Sequence, residues 1–281
     1  MKLLHTISEV REALARARGR GWKIGFVPTM GALHEGHMAL VRRARAECEF
    51  AAVSIFVNPA QFGPGEDLEK YPRTLVEDAE KCRNADVDLI FAPSATEMYP
   101  EGFDSWVEVN GFLTETLEGE SRPGHFRGVT TVCAKLFNIL QPTYAYFGMK
   151  DYQQLKVIQR MVRDLDMPLE IMPCETVREP DGLTMSSRNA YLNAAERQAA
   201  LVLSRLLKEV QATLDSGERR AAAVQESAKN LIKAEPLARI DYVALRDAET
   251  LEPVDHLDKP AVLLLAVRIG ATRLIDNAVL G

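Results

Sequence analysis

The chain has 281 residues, 47% of them hydrophobic, and a formal net charge of −6. That length accommodates one large domain or two ordinary ones, with enough apolar material for a sizeable core. The acidic balance excludes a protein that coats nucleic acid through bulk positive charge, although basic residues can still gather locally into a phosphate pocket.

The four cysteines, Cys48, Cys82, Cys133 and Cys174, are widely spaced and form no C-x-x-C pair. Reduced, mostly buried thiols and a cytoplasmic location are therefore expected. No long apolar segment opens the chain, so neither a signal peptide nor a membrane span is expected.

Residues from about Ser8 to Arg18 read as an amphipathic helix with Ser8 as its N-cap and Val10, Leu14 and Ala17 inward. Ile24 to Val27 is the first core strand. It runs into Pro28-Thr29-Met30-Gly31-Ala32-Leu33-His34-Glu35-Gly36-His37, and a helix leaves from about Met38 to Cys48. Pro28 suits a chain leaving a strand, and Gly31 permits a turn that other residues resist. Gly36 has no side chain, so a flat group can lie close to the backbone there. The pattern is a strand, a turn and a helix start with both imidazoles in its first turn. Unpaired backbone N–H groups and the positive dipole end make such a start a natural phosphate seat. Two other readings remain at this point. His34 and His37 can be a metal pair, though no third His, Cys or acid stands at ligand spacing, or they can cap a surface helix.

Ala51 to Val57 is a continuous apolar run of the kind found in buried parallel strands. Asn58 and Gln61 follow its C-terminal end, where open α/β sheets hold ligands, and their amides both donate and accept. An Asn-Pro turn is equally ordinary loop chemistry. A helix over 74–84, a strand over 87–92 and a short strand near Trp106 to Val109 come next. Arg122 and Arg127 flank Pro-Gly-His-Phe before a strongly apolar helix from Val129 to Leu140, either as an anion site or as surface arginines.

The strand Tyr144 to Phe147 runs into Gly148-Met149-Lys150-Asp151-Tyr152-Gln153-Gln154, again a strand, turn and helix start. Here Lys150 can meet a phosphate as a point charge and Asp151 can cap the helix, with Gln154 on its face. Two such turns in one sheet read as two walls of one cleft. Leu169 to Met172 is the last strand, and Glu179-Pro180-Asp181-Gly182 is turn chemistry that marks a boundary. Met185-Ser186-Ser187-Arg188 then places two hydroxyls and a guanidinium in a loop suited to a mobile phosphate clamp. Helices over 194–214 and 220–234 and strands over 240–245, 261–267 and 273–279 form a separate α+β unit. The predicted architecture is a Rossmann-like doubly wound parallel α/β sheet over residues 1–178 and a smaller C-terminal α+β domain over 179–281.

His34-Glu35-Gly36-His37 after a strand resembles the HxGH signature shared by nucleotidyltransferases and class I aminoacyl-tRNA synthetases. Met185-Ser186-Ser187-Arg188 sits where that superfamily carries its KMSKS loop. It departs from it, with Thr184 and Ser187 in place of the lysines, and Arg188 and Lys150 can supply the missing charge. Five segments in order, PTMGALHEGH, FVNPAQFGPGEDLEKYPRT, RPGHFRGVTTV, FGMKDYQQL and TMSSRN, resemble the pantoate–β-alanine ligase family over essentially the whole chain.

That resemblance implies ATP-dependent condensation of (R)-pantoate with β-alanine through an acyl adenylate, releasing AMP and pyrophosphate. It implies that His34, His37, Lys150 and Arg188 carry the chemistry. Met30, Gly31, Gly36, Gly148, Met149, Asp151, Val177, Met185, Ser186 and Ser187 would complete the ATP site. Gln61 and Gln154 would grip pantoate, with Asn58, Tyr71 and Arg122 at the second substrate or the cleft wall. Mg²⁺ would enter with ATP on the phosphates, with no protein ligand of its own. A homodimer whose C-terminal domain acts as a lid is implied as well, with no nucleic acid or membrane partner. The rivals are another adenylyl transfer on the same scaffold, with a different acid or amine, and a catalytically silent nucleotide- or RNA-contacting protein. The acidic charge and the presence of His34, His37 and Lys150 speak against the silent protein.

Overall fold

Strands and helices alternate through the first two thirds of the chain because short apolar runs and amphipathic stretches alternate in the sequence. The elements are β1 (Lys2–Leu4), α1 (Ile7–Gly19), β2 (Ile24–Thr29), α2 (Glu35–Glu47), β3 (Phe50–Ile55), α3 (Leu75–Asn84) and β4 (Leu89–Phe91). Three one-turn helices follow, α4 (Ala95–Met98), α5 (Phe112–Glu115) and α6 (Glu118–Ser121), and then α7 (His125–Leu140), β5 (Tyr144–Gly148), α8 (Tyr152–Asp164) and β6 (Glu170–Cys174). The computed structural model describes residues 1–281. It divides into two compact units, Met1–Met149 with Gln154–Glu175, and Lys150–Gln153 with Thr176–Gly281.

In the first unit all six strands are parallel, in the order β1-β4-β3-β2-β5-β6. Alternate residues face opposite sides. Phe26, Ala52, Leu89, Phe91, Ala145 and Phe147 pack with α1, α7 and α8, while Val27, Val53, Ile90 and Tyr146 pack with α2 and α3. Both faces are covered, which is why these strands are apolar throughout. The strand order reverses between β2 and β5, and ligands bind at the carboxyl ends of strands at such a switch point. The turns after β2 and β5 are those singled out in the sequence.

The second unit adds α9 (Ala194–Asp215) and α10 (Ala221–Lys233), then β7 (Ala238–Asp247), β8 (Ala261–Ile269) and β9 (Thr272–Leu280) in an antiparallel sheet ordered β7-β8-β9. Leu203, Leu206 and Val210 of α9 and Val224 and Ile232 of α10 bury against Leu263, Leu265 and Val267 of β8. All four cysteines are unpaired and buried. No helix is long and apolar enough to cross a membrane.

Several local expectations change. The N-cap of α1 is Thr6 rather than Ser8. Glu9 stands three residues on and closes a capping box, its Oε2 3.0 Å from the Thr6 N–H, and Ser8 has no acid at the matching position. Pro28 lies inside β2, paired with Ser54, where the β5 pairing of Gly25 and Phe26 has already ended, so its missing N–H costs no ladder bond to β5. The helix expected from Val129 begins at His125, because Gly124 turns the chain at φ +81°. Residues 106–109 form no strand. The Val107 N–H is taken by Thr131 Oγ1 at 3.0 Å and its carbonyl by Thr130 Oγ1 at 2.5 Å, so hydroxyls of α7 satisfy the backbone in place of a neighbouring strand. Lys2–Leu4 pairs with β4, an edge strand too short to leave a periodic signal.

Candidate active site

At the end of β2 the chain reverses through two consecutive left-handed residues, Gly31 at φ +85° and Ala32 at φ +51°. Thr29 Oγ1 donates to the Ser54 carbonyl at 2.7 Å and accepts the Gly31 N–H at 3.2 Å. His34 is the N-cap of α2. Its Nδ1 accepts the Gly36 N–H at 3.1 Å, and Nδ1 of His37 reaches back to the His34 N–H at 3.3 Å. Two imidazoles thus fill the roles that a Ser/Thr and a Glu fill in the usual capping box. The ring centroids lie 4.1 Å apart. Because both Nδ1 atoms accept main-chain N–H groups, the neutral rings carry their protons on Nε2 as donors. A helix start already rich in N–H groups and positive potential gains two more donors. No group of three or more His, Cys, Asp or Glu side chains converges as a metal site.

A second cluster follows β3. Asn58, 1% exposed, caps a single 3₁₀ turn over Pro59–Gln61. Its Nδ2 donates to Gln61 Oε1 at 3.0 Å and to the Gly128 carbonyl at 3.2 Å, and its Oδ1 accepts from Tyr99 Oη at 2.7 Å. Those bonds set which way the Gln61 amide points, and its Nε2 lies 3.1 Å from Met30 Sδ. The turn rests on α7 where Gly128 has no side chain, since a Cβ there would stand 2.1 Å from the Ala60 oxygen. From behind, His125 Nδ1 donates to the Gln61 carbonyl at 2.8 Å while its Nε2 accepts from Arg122 Nη1 at 3.1 Å. Arg122 in turn grips Glu66 through two bonds of 2.7 Å. Burial, and next the Arg122 charge, push the His125 imidazole down to about 4. Burial pushes the Glu66 carboxyl up, but the Arg122 bond and charge outweigh it and hold the group below its usual value. Tyr71 is buried against Phe62, and Gln154 is half-buried in the first turn of α8.

In the second unit, Lys150 is 21% exposed at its side chain, with Nζ 3.6 Å from Asp151 Oδ1, and its carbonyl accepts from Asn277 Nδ2 at 2.7 Å. The segment 176–189 folds back on itself. Arg178 and Thr184 form a bridge, and the Val177 carbonyl accepts the Met185 N–H at 3.1 Å. The Arg178 guanidinium donates to Thr184 Oγ1 at 2.7 Å and to both carboxylate oxygens of buried Asp276 at 2.7 and 2.9 Å. Ser186 Oγ then caps a 3₁₀ turn, Ser187–Tyr191, by accepting the Arg188 N–H at 3.3 Å. Asn189 ties that turn to the Thr184 carbonyl and to Glu179.

A family model described as pantoate-beta-alanine ligase matches residues 2–279. The chain belongs to the pantoate–β-alanine ligase family. It is 55% identical over 281 residues to a pantothenate synthetase of Pelotomaculum thermopropionicum, covering 100% of this chain and 99% of the relative. It is 56% identical over 280 residues to that of Moorella thermoacetica, covering 100% and 99%. The crystal structure of pantothenate synthetase from Thermus thermophilus superposes with a TM-score of 0.95 at 49% identity, over 99% of each chain. That of the Francisella tularensis ligase, complexed with beta-gamma ATP and β-alanine, superposes with a TM-score of 0.82 at 34% identity, over 99% and 97%.

Within this ligase scaffold, the first unit gathers Met30, Asn58 and Gln61 into one hydrogen-bonded cluster. It also places His34, Gly36 and His37 together at the start of α2. The sequence reading makes Arg122 a candidate for the second substrate or the cleft wall. Its guanidinium pairs with Glu66 and His125 and forms a strut behind Gln61. Asn58 likewise spends its amide on orienting Gln61. Residues that the sequence reading passed over do much of the holding: Asp78, Tyr99, His125, Arg178, Asp276 and Asn277. One signal was available for Asp78, an acid on the inward face of α3 beside Ala79 and Cys82.

Proposed function

We propose that the enzyme condenses (R)-pantoate with β-alanine, using ATP, through a pantoyl adenylate and with release of AMP and pyrophosphate. The observation that carries this reading is the start of α2, where two imidazoles cap the helix through Nδ1, which assigns the donor role to Nε2. A carboxylate resists nucleophilic attack at carbon because it is already negative. Its attack on the α-phosphorus of ATP gives a mixed anhydride whose AMP leaves readily when the β-alanine amine adds. Negative charge grows on the bridging oxygen and pyrophosphate in the first step, and preorganised donors stabilise it without covalent chemistry.

His34 and His37 are assigned to those phosphate oxygens, with His37 as the principal donor in the adenylation step. Lys150 and Arg188 add charge to the phosphates, and Ser186 and Ser187 add hydroxyl and backbone donors. Met30, Gly31, Gly36, Gly148, Met149 and Met185 shape the nucleotide bed, Asp151 takes the ribose, and Val177 offers backbone groups to adenine. Gln61 and Gln154 hold the hydroxyl and carboxylate of pantoate, with Tyr71 beside them. Mg²⁺ enters as part of the nucleotide substrate, bound by phosphate oxygens. The family pattern also supports a homodimer working on soluble substrates in the cytoplasm.

Incubation with ATP, Mg²⁺, (R)-pantoate and β-alanine, omitting each in turn, tests the assignment. AMP and pantothenate should form in equal amounts only in the complete mixture. ATP binding without turnover of this pair would keep the nucleotide site and discard the substrates.

A further inference from the structure

The turn that delivers the two imidazoles is gripped by a charge from another helix. Asp78 of α3 has a side chain with no exposed surface. Its Oδ2 accepts the Ala32 N–H and its Oδ1 the Leu33 N–H, each at 2.8 Å, and Thr74 Oγ1 donates to Oδ2 at 3.1 Å. One turn along α3, Lys81 donates its ammonium to the Leu33 carbonyl and lies 4.0 Å from the carboxylate. One helix therefore holds this dipeptide by two N–H groups and a C=O.

The conformation held is one the dipeptide resists. Ala32 carries a side chain yet sits at φ +51°, in a region that L-residues avoid. Gly31 stands so close that a Cβ would lie 3.1 Å from Asp78 Oδ2 and 3.1 Å from Ile55 Cγ2. A buried carboxylate is also an unfavourable neighbour for a seat meant for polyphosphate, and its charge-assisted bonds together with Lys81 offset that cost.

We propose that Asp78 is a positioning residue for the nucleotide half of the reaction. By fixing the peptide groups of Ala32 and Leu33 it sets the direction in which α2 starts, and so where His34 and His37 aim their Nε2–H donors. It touches no substrate. The inference rests on the reading that this helix start receives the ATP phosphates.

Asp78→Asn keeps the shape but turns an NH₂ group against one of the two N–H donors. The KM for ATP should rise about tenfold or more and kcat should fall, while the KM values for pantoate and β-alanine stay within about twofold, as expected of a misplaced catalytic group. Lys81→Met, which leaves the carboxylate in place, should shift the KM for ATP in the same direction by about threefold, and it decides the matter if Asp78→Asn fails to fold. A purely structural role would lower the active fraction and leave every KM unchanged. That outcome, or an unchanged KM for ATP in a folded variant, overturns the proposal. Calorimetric titration of both proteins with ATP separates the two layers. A wild-type enzyme that binds no ATP removes the underlying reading, whereas equal binding by wild type and Asp78→Asn removes the positioning role alone.

Discussion

In the first unit the turn carrying His34 and His37 is held by main-chain bonds to a carboxylate with no exposure and to Lys81, and the Gln61 turn is held by neutral amides, a phenol and a neutral imidazole, with the Arg122–Glu66 pair behind them. In the second unit the segment carrying Ser186–Arg188 is held by ion pairs. Arg178 binds Asp276, and Arg197, 33% exposed at its side chain, binds Glu179 and Asp181. The pair that braces the Gln61 turn is more buried than the Arg197 pairs, 18% and 23% exposed against 33% at Arg197, so screening by salt should weaken the second arrangement more. Under the proposed function this difference would give fixed donors at the start of α2 for the charge that develops in the transition state, and a latched segment at Ser186–Arg188 for the phosphates.

The largest expected effect separates capping from chemistry at the first of these regions. His37→Gln keeps an acceptor that can reach back to the His34 N–H but removes the imidazole donor. Adenylation should slow by about a thousandfold with little change in melting temperature. A single-turnover rate near wild type would reduce His37 to a cap. Next comes the latch. Arg178→Met leaves Asp276 buried without its cation, so the second unit should lose about 3 kcal/mol of stability in denaturant titrations. The loss should shrink when Asp276→Leu is added, and an additive double variant would show that the pair is not coupled.

Gly128→Ala sharpens the comparison on the neutral side. The new methyl must displace the Asn58–Gln61 turn, costing about 1–3 kcal/mol in unfolding experiments. The KM for pantoate should rise while that for ATP holds, and equal changes in both would detach Gln61 from pantoate. The smallest effect concerns pH. The His125 ring titrates near 4 in the folded chain, against about 6.5 when unfolded. Between these values the unfolded state binds more protons. The contribution of His125 is therefore fully present above about 6.5 and is lost as pH falls toward 4, by at most about 3 kcal/mol. Urea titrations across that window should show a shallower decline for His125→Asn, and parallel declines would contradict the assignment.

The strand–helix order was legible because it rests on periodicity. Phe26 and Val27, or Tyr146 and Phe147, face opposite covered sides of one sheet, and such runs read as buried parallel strands. The pairing of His34 and His37 at a helix start was legible because they are three apart after a strand and a turn. What holds these pieces was not, because those contacts are distant in sequence. Asp78 lies 46 residues from Ala32, Asp276 lies 98 from Arg178, and Asn277 lies 127 from Lys150. Arg122 shows the converse. Its place before a helix leaves an anion site and a surface arginine both open, and its partner Glu66 lies 56 residues away. The segment 106–109 reads as a short strand in the sequence and forms none, because Thr130 and Thr131 take up the bonds that a neighbouring strand would have made.

The central claim is that the pantoate carboxylate attacks the α-phosphorus of ATP. The most direct test is turnover with pantoate labelled with ¹⁸O in its carboxylate, followed by mass spectrometry of the nucleotide and pyrophosphate. The adenylate route places one labelled oxygen in the phosphate of AMP and none in pyrophosphate. Unlabelled AMP, or label appearing in pyrophosphate or inorganic phosphate, would contradict it.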